Sequence, residues 1–167
     1  VWKQSLENIP TPVAEQLQST NMEFWQTGNR LILTGGYGYS KTADDHITFP
    51  YLTVIKVDEL ITAILNNKEI KNSFFHFNFE RMAVTGGRLA KLQDTFFLAG
   101  GQRFDGRYNP HGPDHGPGFT QQYTNEIRKF TIEYNKDTPG IKNYSAISDS
   151  INLHRRDYNL VPQVFKN

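Results

Sequence analysis

The chain has 167 residues, a formal net charge of +1 and no cysteine. This length suits about one domain, and the absence of cysteine excludes disulfides and thiolate metal sites. The near-neutral charge, without a basic run, argues against the clustered positive face that nucleic-acid binding needs. Thirteen glycines, eight prolines and a 13% aromatic content favour strands and turns, so we expect a mainly β protein.

The N-terminal residues lack an initiator Met and the charged-then-apolar pattern of a signal peptide, which suggests a processed or excised chain. No apolar run approaches the ~18 residues of a membrane span, so no span is expected. Val1–Pro12 contains the apolar residues Trp2, Leu6 and Ile9, which are followed by two prolines. We interpret this segment as a short strand that leaves a turn.

The first half of the chain predicts four strands and one helix. Gly28-Asn29 is a tight hairpin signal between the first two strands. Asp58 is a good N-cap, and apolar residues recur at helical spacing from Leu60 until Asn66-Asn67. The predicted strands are Met22–Gln26, Arg30–Thr34, Tyr51–Val57 and Ser73–Phe79.

The same pattern recurs in the second half. Gly35-Gly36 and Gly100-Gly101 each end an apolar strand, and they lie 65 residues apart. Gly86-Gly87 is an alternative repeat partner at 51 residues, but the residues before it do not match the strand pattern. The corresponding strands are Met82–Leu92, Thr95–Ala99, Glu126–Tyr134 and Lys142–Ile147, followed by a further first strand at Tyr158–Phe165.

Three segments resemble the kelch β-propeller: Arg81, then Asp94–Gly101, then Asn125–Phe130. They match the arginine, the apolar strand with its double glycine and the third-strand segment of that family. The stretch Glu80–Gln163 is also similar to kelch-repeat proteins that bacteria export, a group from which no activity can be carried over.

The resemblance implies an all-β, partial kelch-type β-propeller of about two four-stranded blades, with a short helix inserted near 58–66. Its parts would be the last strand of a preceding blade (1–12), two blades (22–79 and 82–148) and the first strand of a following blade (158–165). It also implies export to the cell surface, the periplasm or the medium. Because propellers have four to eight blades, we expect blades from the same parent protein or from other chains to complete the ring.

The long loops after the second and fourth strands of each blade would emerge on one face. Polar loops on a rigid scaffold are where binding residues concentrate. The predicted ligand-binding residues on that face are Arg81, Arg103, Arg107, Tyr108, His111, Asp114, His115 and Arg156. The alternative is structural: glycine, proline and aspartate in Asn109–Gly118 would shape a loop, and Arg81 and Arg156 would pair with neighbouring acids between blades.

Metal binding and sugar stacking are two further chemistries that these loops suggest. His111, Asp114 and His115 are suitable metal ligands, but a proline- and glycine-rich loop does not fix them on one face, so neither a metal nor a cofactor is predicted. Aromatic residues could stack against sugar rings or simply pack under a loop: Tyr37, Tyr39, Phe104, Tyr108 and Phe119. His76 alternates within a strand and is interpreted as a packed structural residue.

Two functions remain. We favour a noncatalytic binding or assembly module that engages a protein or glycan through the loop face. The alternative is part of a sugar-active propeller enzyme with mutarotase-like acid–base chemistry. The enzyme would require Arg81, Arg107, His115 and Arg156 to converge on a concavity that holds a carboxylate of shifted pKa.

Overall fold

The computed structural model describes residues 1–111, 118–157, 159–161 and 163. Antiparallel strands dominate, with two short helices. The chain begins with a 3-10 turn at Leu6–Asn8, and the elements that follow are α1 (Thr11–Leu17), β1 (Glu23–Thr27), β2 (Arg30–Thr34), β3 (Tyr37–Ser40), β4 (Asp45–Thr48), β5 (Tyr51–Lys56), α2 (Val57–Leu65), β6 (Phe74–Asn78), β7 (Arg88–Leu92), β8 (Thr95–Ala99), β9 (Gln102–Asp105), β10 (Thr120–Tyr123), β11 (Glu126–Asn135) and β12 (Thr138–Ser148).

Two four-stranded sheets have the same connectivity. The first sheet has the order β1-β2-β5-β6, and the second has the order β7-β8-β11-β12. In each unit the chain forms a separate two-stranded hairpin between the second and the third strand of the sheet. This hairpin is β3–β4 in the first unit and β9–β10 in the second. The all-β class is therefore confirmed, although the strand predicted over Met82–Leu92 begins only at Arg88, after the double glycine.

Equivalent contacts recur at the predicted 65-residue spacing. Thr20 forms an isolated bridge with Tyr37, and Thr85 forms one with Gln102. Each residue of the second bridge follows its counterpart in the first by 65 positions. The match supports the pairing of Gly35-Gly36 with Gly100-Gly101 rather than with Gly86-Gly87.

A third equivalent position follows the second sheet. Asn21, Gly86 and Asp157 all have positive φ, at 53°, 65° and 57°. The N–H of Gly86 donates to the carbonyl of Asn21 at 3.4 Å, and the N–H of Asp157 donates to the carbonyl of Gly86 at 2.7 Å. The chain therefore returns three times to neighbouring positions at one end of the sheets.

The double glycines allow close approach at this end. A Cβ on Gly35 would lie 1.8 Å from the carbonyl oxygen of Val84, and a Cβ on Gly101 would lie 2.6 Å from the nitrogen of Gly87. Both glycines also have positive φ, a conformation that residues with a Cβ rarely adopt. The glycines are thus required by backbone packing between the two units.

The main core lies between the facing surfaces of the two sheets. Ile32 and Val54 lie opposite each other on the first sheet, as Phe96 and Phe130 do on the second. Burial of such side chains is the main favourable contribution to folding. The fully or nearly fully buried members of this core are Ile32, Leu52, Val54, Met82, Val84, Leu89, Phe96, Leu98 and Phe130.

The other face of the first sheet is covered by the N-terminal segment. Ile9 and Val13 form a second apolar cluster with Ile70, against which residues of α2 pack. The strand predicted for Val1–Pro12 is therefore wrong. The spacing of Leu6, Ile9, Val13 and Leu17 is helical, and proline is tolerated at a helix start because the first turn needs no N–H bond.

A buried hydrogen-bond network fixes α1 to this face. The Gln16 side chain is fully buried, and its Nε2 donates to the carbonyls of Gly35 and Tyr51, each at 3.1 Å. Its Oε1 accepts from the Thr53 hydroxyl at 2.6 Å. That hydroxyl has one proton, so His76 Nδ1, at 2.7 Å, is its donor. Burial lowers the pKa of His76 from 6.5 to about 4, and its predicted structural role is confirmed.

The inserted helix occurs as predicted, with a different start. It begins at Val57, so the N-cap position is Lys56 rather than Asp58, and Lys56 makes no side-chain cap bond. Instead, the Asp58 N–H donates to the Asn29 side chain at 2.7 Å, so the hairpin turn supplies the cap. Within the described part of the chain, no helix has both the length and the apolar character needed to cross a membrane.

Among the described residues, no helix covers the outer face of the second sheet. A groove of about 250 Å³ runs over it, and Leu92 and Val161 at its border are 64% and 77% exposed. A strand was predicted at Tyr158–Phe165. Residues 159–161 and 163 of it are described and form no strand, and its other residues lie outside the described part of the chain. The groove is lined by Trp25, Ala90, Lys91, Leu92, Phe97, Ala99, Ile127, Leu160 and Val161.

Candidate functional site

The two inserted hairpins join into one wall. The Thr48 hydroxyl donates to the Phe104 carbonyl at 2.7 Å and accepts from the Phe104 N–H at 2.8 Å. The Thr48 N–H donates to the Asp105 carboxylate at 2.9 Å, and the Gly106 N–H donates to the His46 carbonyl at 2.7 Å. The short Thr48 side chain thus forms the hydrogen bonds that link β4 to β9, and these bonds join the two repeats.

An aromatic cluster is built on this wall. Phe104 is buried, and its ring meets the edge of Tyr37 at 5.1 Å and stacks on Phe119 at 4.8 Å. The Tyr37 hydroxyl donates to the Gly106 carbonyl at 2.7 Å and accepts from the Tyr108 N–H at 3.2 Å. Burial raises the pKa of Tyr37 above its usual value of 10, so its hydroxyl stays protonated as a donor.

An open pocket of about 180 Å³ lies beside the aromatic cluster, and we call it the hairpin pocket. The side chain of Gln102 is buried in its wall and accepts a hydrogen bond from Gln121. Arg156 Nε lies 3.6 Å from the Asp157 carboxylate at the border, so these two side chains contribute no net charge. The pocket is lined by Asn21, Tyr37, Thr85, Gly86, Gln102, Phe104, Tyr108, Phe119, Gln121, Arg156 and Asp157.

A buried carboxyl lies at the start of β1, near this end of the sheets. Glu23 is 5% exposed, and burial raises its pKa from 4.5 to about 7. Arg88, which follows it by 65 positions, and a hydrogen bond from the Gly87 backbone oppose this shift, while Asp157 adds to it. Glu23 does not line the hairpin pocket.

A second pocket, of about 250 Å³, lies on the opposite side of β9 and contains three arginines. Side chains alternate along this strand, so Gln102 and Phe104 line the hairpin pocket whereas Arg103 lines the second pocket. Arg103 pairs with Asp105 and Glu80. Arg128 pairs with Glu126 at 2.7 Å and donates to the Arg81 carbonyl. Acids thus compensate Arg103 and Arg128, mostly from the same strand, whereas the structural alternative named Arg81 and Arg156.

The predicted site residues separate into groups. Tyr108 and Arg156 line the hairpin pocket, whereas Arg81 and Arg103 line the second pocket. Arg107 is exposed and lines neither pocket, and His111 is exposed, with its N–H bonded to the Asn109 side chain. Asp114 and His115 lie outside the described residues. Arg81, Arg107 and Arg156 therefore do not converge on one concavity.

Several lining residues were not predicted from the sequence. Three of them, Asn21, Thr85 and Asp157, belong to the repeated positions at the sheet ends. The 65-residue spacing could have identified Asn21 and Thr85 as repeated positions. Gln102 and Gln121 are diagonal neighbours in the hairpin β9–β10 and are joined by a side-chain hydrogen bond, within a segment interpreted as a loop.

The hairpin pocket has the groups of a binding site: two partly exposed rings, amides and a compensated ion pair. Among residues 1–111, 118–157, 159–161 and 163, no group of three or more His, Asp or Glu side chains could hold a metal ion. No protein-family model and no curated protein matches this chain.

Proposed function

We propose that this chain is a noncatalytic binding module formed by two blades of a kelch-type β-propeller, with its ligand, a protein or a glycan, in the hairpin pocket. Further blades, from the same parent protein or from other chains, would complete the ring. An exported location is part of this proposal.

The repeated sheets support the propeller. Two sheets of the same order pack face to face, and the hydrogen-bonded positions Asn21, Gly86 and Asp157 follow one another as inner positions around an axis would. The uncovered groove on the second sheet would receive the next blade. On the first sheet, Phe24 of β1 lies on the same face as Leu33 and is 56% exposed. This face of β1, which would be the strand nearest the propeller axis, is therefore accessible beside α1.

The hairpin pocket is the single observation on which the binding function rests. Tyr108 and Phe119 are 62% and 39% exposed. A hydrogen bond to the Tyr37 hydroxyl holds the Tyr108 backbone, and stacking on Phe104 holds the Phe119 ring. Partly exposed aromatic residues beside a few convergent polar groups are typical of ligand sites. Segments that connect the strands of a rigid scaffold are also where binding residues are usually found.

The enzyme alternative is less well supported. Its arginines are divided between two pockets or exposed, and the carboxyl with the raised pKa, Glu23, is buried outside the pocket lining. A general acid has to reach its substrate within hydrogen-bond distance. The described residues therefore favour binding over acid–base catalysis.

Binding can be tested by presenting the immobilised chain with a glycan array and a displayed peptide library. We expect ligands whose affinity falls at least tenfold with Tyr108→Ala. Lys136→Ala, in the turn at the opposite end of β11, should leave the affinity unchanged. The proposal fails if neither collection yields a ligand that responds to Tyr108→Ala, and NMR detection of a chemically converted ligand would favour the enzyme.

A further inference from the structure

We propose that the hairpin pocket binds a neutral sugar ring on a one-sided aromatic platform, an inference that rests on the proposed binding function. The platform consists of Tyr108 and Phe119, whose ring centroids are 5.9 Å apart. Carbon atoms in contact lie ~3.5–4.0 Å apart, so a ring inserted between two aromatic faces would need about twice that distance. The two rings therefore form one surface rather than a slot.

The platform is ordered before a ligand arrives. Phe119 stacks on Phe104, a residue only 7% exposed, with an interplanar angle of 24°. The backbone of Tyr108 is held by the Tyr37 hydroxyl. Binding to a surface that is already ordered loses little conformational entropy. A pyranose suits such a surface, because one of its faces presents C–H groups that can lie flat on aromatic rings.

The polar lining suits hydroxyl groups rather than an anion. Asn21 and Gln121 carry amides, which donate and accept hydrogen bonds as sugar hydroxyls do. Arg156 is accompanied by the Asp157 carboxylate at 3.6 Å, so its charge is compensated. A phosphate, sulfate or carboxylate would find no net positive charge on the lining residues.

An extended peptide is the less suitable occupant. Peptides that bind by strand addition need an open strand edge with free N–H and C=O groups. This pocket is lined by side chains on one face of the hairpin, Gln102, Phe104 and Gln121, and the edge of β9 is paired with β10. In this hairpin the edge without a partner strand among the described residues is the outer edge of β10. What the pocket offers a ligand is therefore mainly side chains, which favours a compact, hydroxyl-rich group.

The test is calorimetric titration of the 167-residue chain with neutral trisaccharides of glucose, galactose, mannose and N-acetylglucosamine. Sialylated, uronic and sulfated oligosaccharides form the anionic arm. We expect at least one neutral sugar to bind, with an affinity that changes less than about twofold between low and high salt because no ion pair forms. Backbone NMR shifts should change in Gly118–Tyr123.

Three variants locate the binding surface. Tyr108→Ala should weaken binding at least tenfold, while Tyr108→Phe should retain it because the ring is kept. Tyr39→Ala is the control, since Tyr39 is similarly exposed but lies outside the pocket lining. Circular dichroism would verify that each variant is folded.

The outcomes separate the two proposals. Binding of anionic sugars alone, or of a displayed peptide in the pocket without any sugar, overturns the neutral-sugar inference and leaves the binding function standing. Neutral-sugar binding that ignores Tyr108→Ala also overturns the inference. Failure of every sugar and every peptide overturns both.

Discussion

The outer faces of the two sheets differ, although the sheets share one connectivity. On the first sheet, Val13 and Gln16 are buried over the strands, and Gln16 bonds to Thr53 and to two backbone carbonyls. On the second sheet, an apolar groove is left between Leu92 and Val161. Exposed apolar surfaces of this kind commonly mark interaction sites. Under the propeller proposal, a further sheet would pack first on the second sheet.

Among the substitutions that test this difference, Gln16→Ala should lower the free energy of unfolding the most. It leaves the carbonyls of Gly35 and Tyr51 without their side-chain donor and removes the acceptor of the Thr53 hydroxyl. The Tyr51 carbonyl keeps the Gly35 N–H as a donor at 3.1 Å, so two buried groups lose their partner. Such groups cost about 1–3 kcal/mol each, and we expect a loss of about 2–5 kcal/mol in the free energy of unfolding. Urea denaturation would measure it. A loss below about 1 kcal/mol would show that the network does not hold the cover in place.

The pH dependence of stability should reveal two groups on opposite faces of the first sheet. The pKa of Glu23 is raised from 4.5 to about 7, so the folded chain binds more protons than the unfolded chain in that range. Stability from Glu23 therefore falls as pH rises from about 4.5 to 7, by up to about 3 kcal/mol. The pKa of His76 is lowered from 6.5 to about 4, so stability from His76 rises as pH increases through that window.

These slopes oppose each other, and single substitutions should separate them. Glu23→Gln should leave stability that increases with pH between about 4 and 6.5. His76→Asn should leave stability that decreases between about 4.5 and 7. Denaturation curves at several pH values check both signs, and parallel pH profiles for the two variants would contradict the assignment.

A matched pair of side-chain truncations compares the covered and open faces directly. Val13→Ala removes two methyl carbons from a side chain that is 3% exposed, and should cost about 2 kcal/mol. Leu92→Ala alters a side chain that is 64% exposed, and should cost under about 1 kcal/mol in the isolated chain. Equal losses in thermal or urea denaturation would mean that the groove is covered in solution.

Sequence patterns predicted the strands of both sheets because their apolar residues alternate or cluster and their ends coincide with glycine. The hairpins β3–β4 and β9–β10 escaped prediction because their strands are four residues long, and Thr120–Tyr123 is largely polar. The N-terminal helix was missed because its prolines were interpreted as ending a strand. Tyr108 and Arg156 could be proposed from loop position, whereas Gln102 and Gln121 depend on pairing across the hairpin.

The most direct test of the incomplete-propeller proposal is the native mass of the particle that contains this chain, with every chain in it identified. The 167-residue chain has a mass of 19.2 kDa. We expect a larger particle, in which further blades from a longer parent chain or from other chains cover the groove at Leu92, Phe97 and Ile127. A stable, folded monomer of 19.2 kDa, with no strands added, would contradict the proposal.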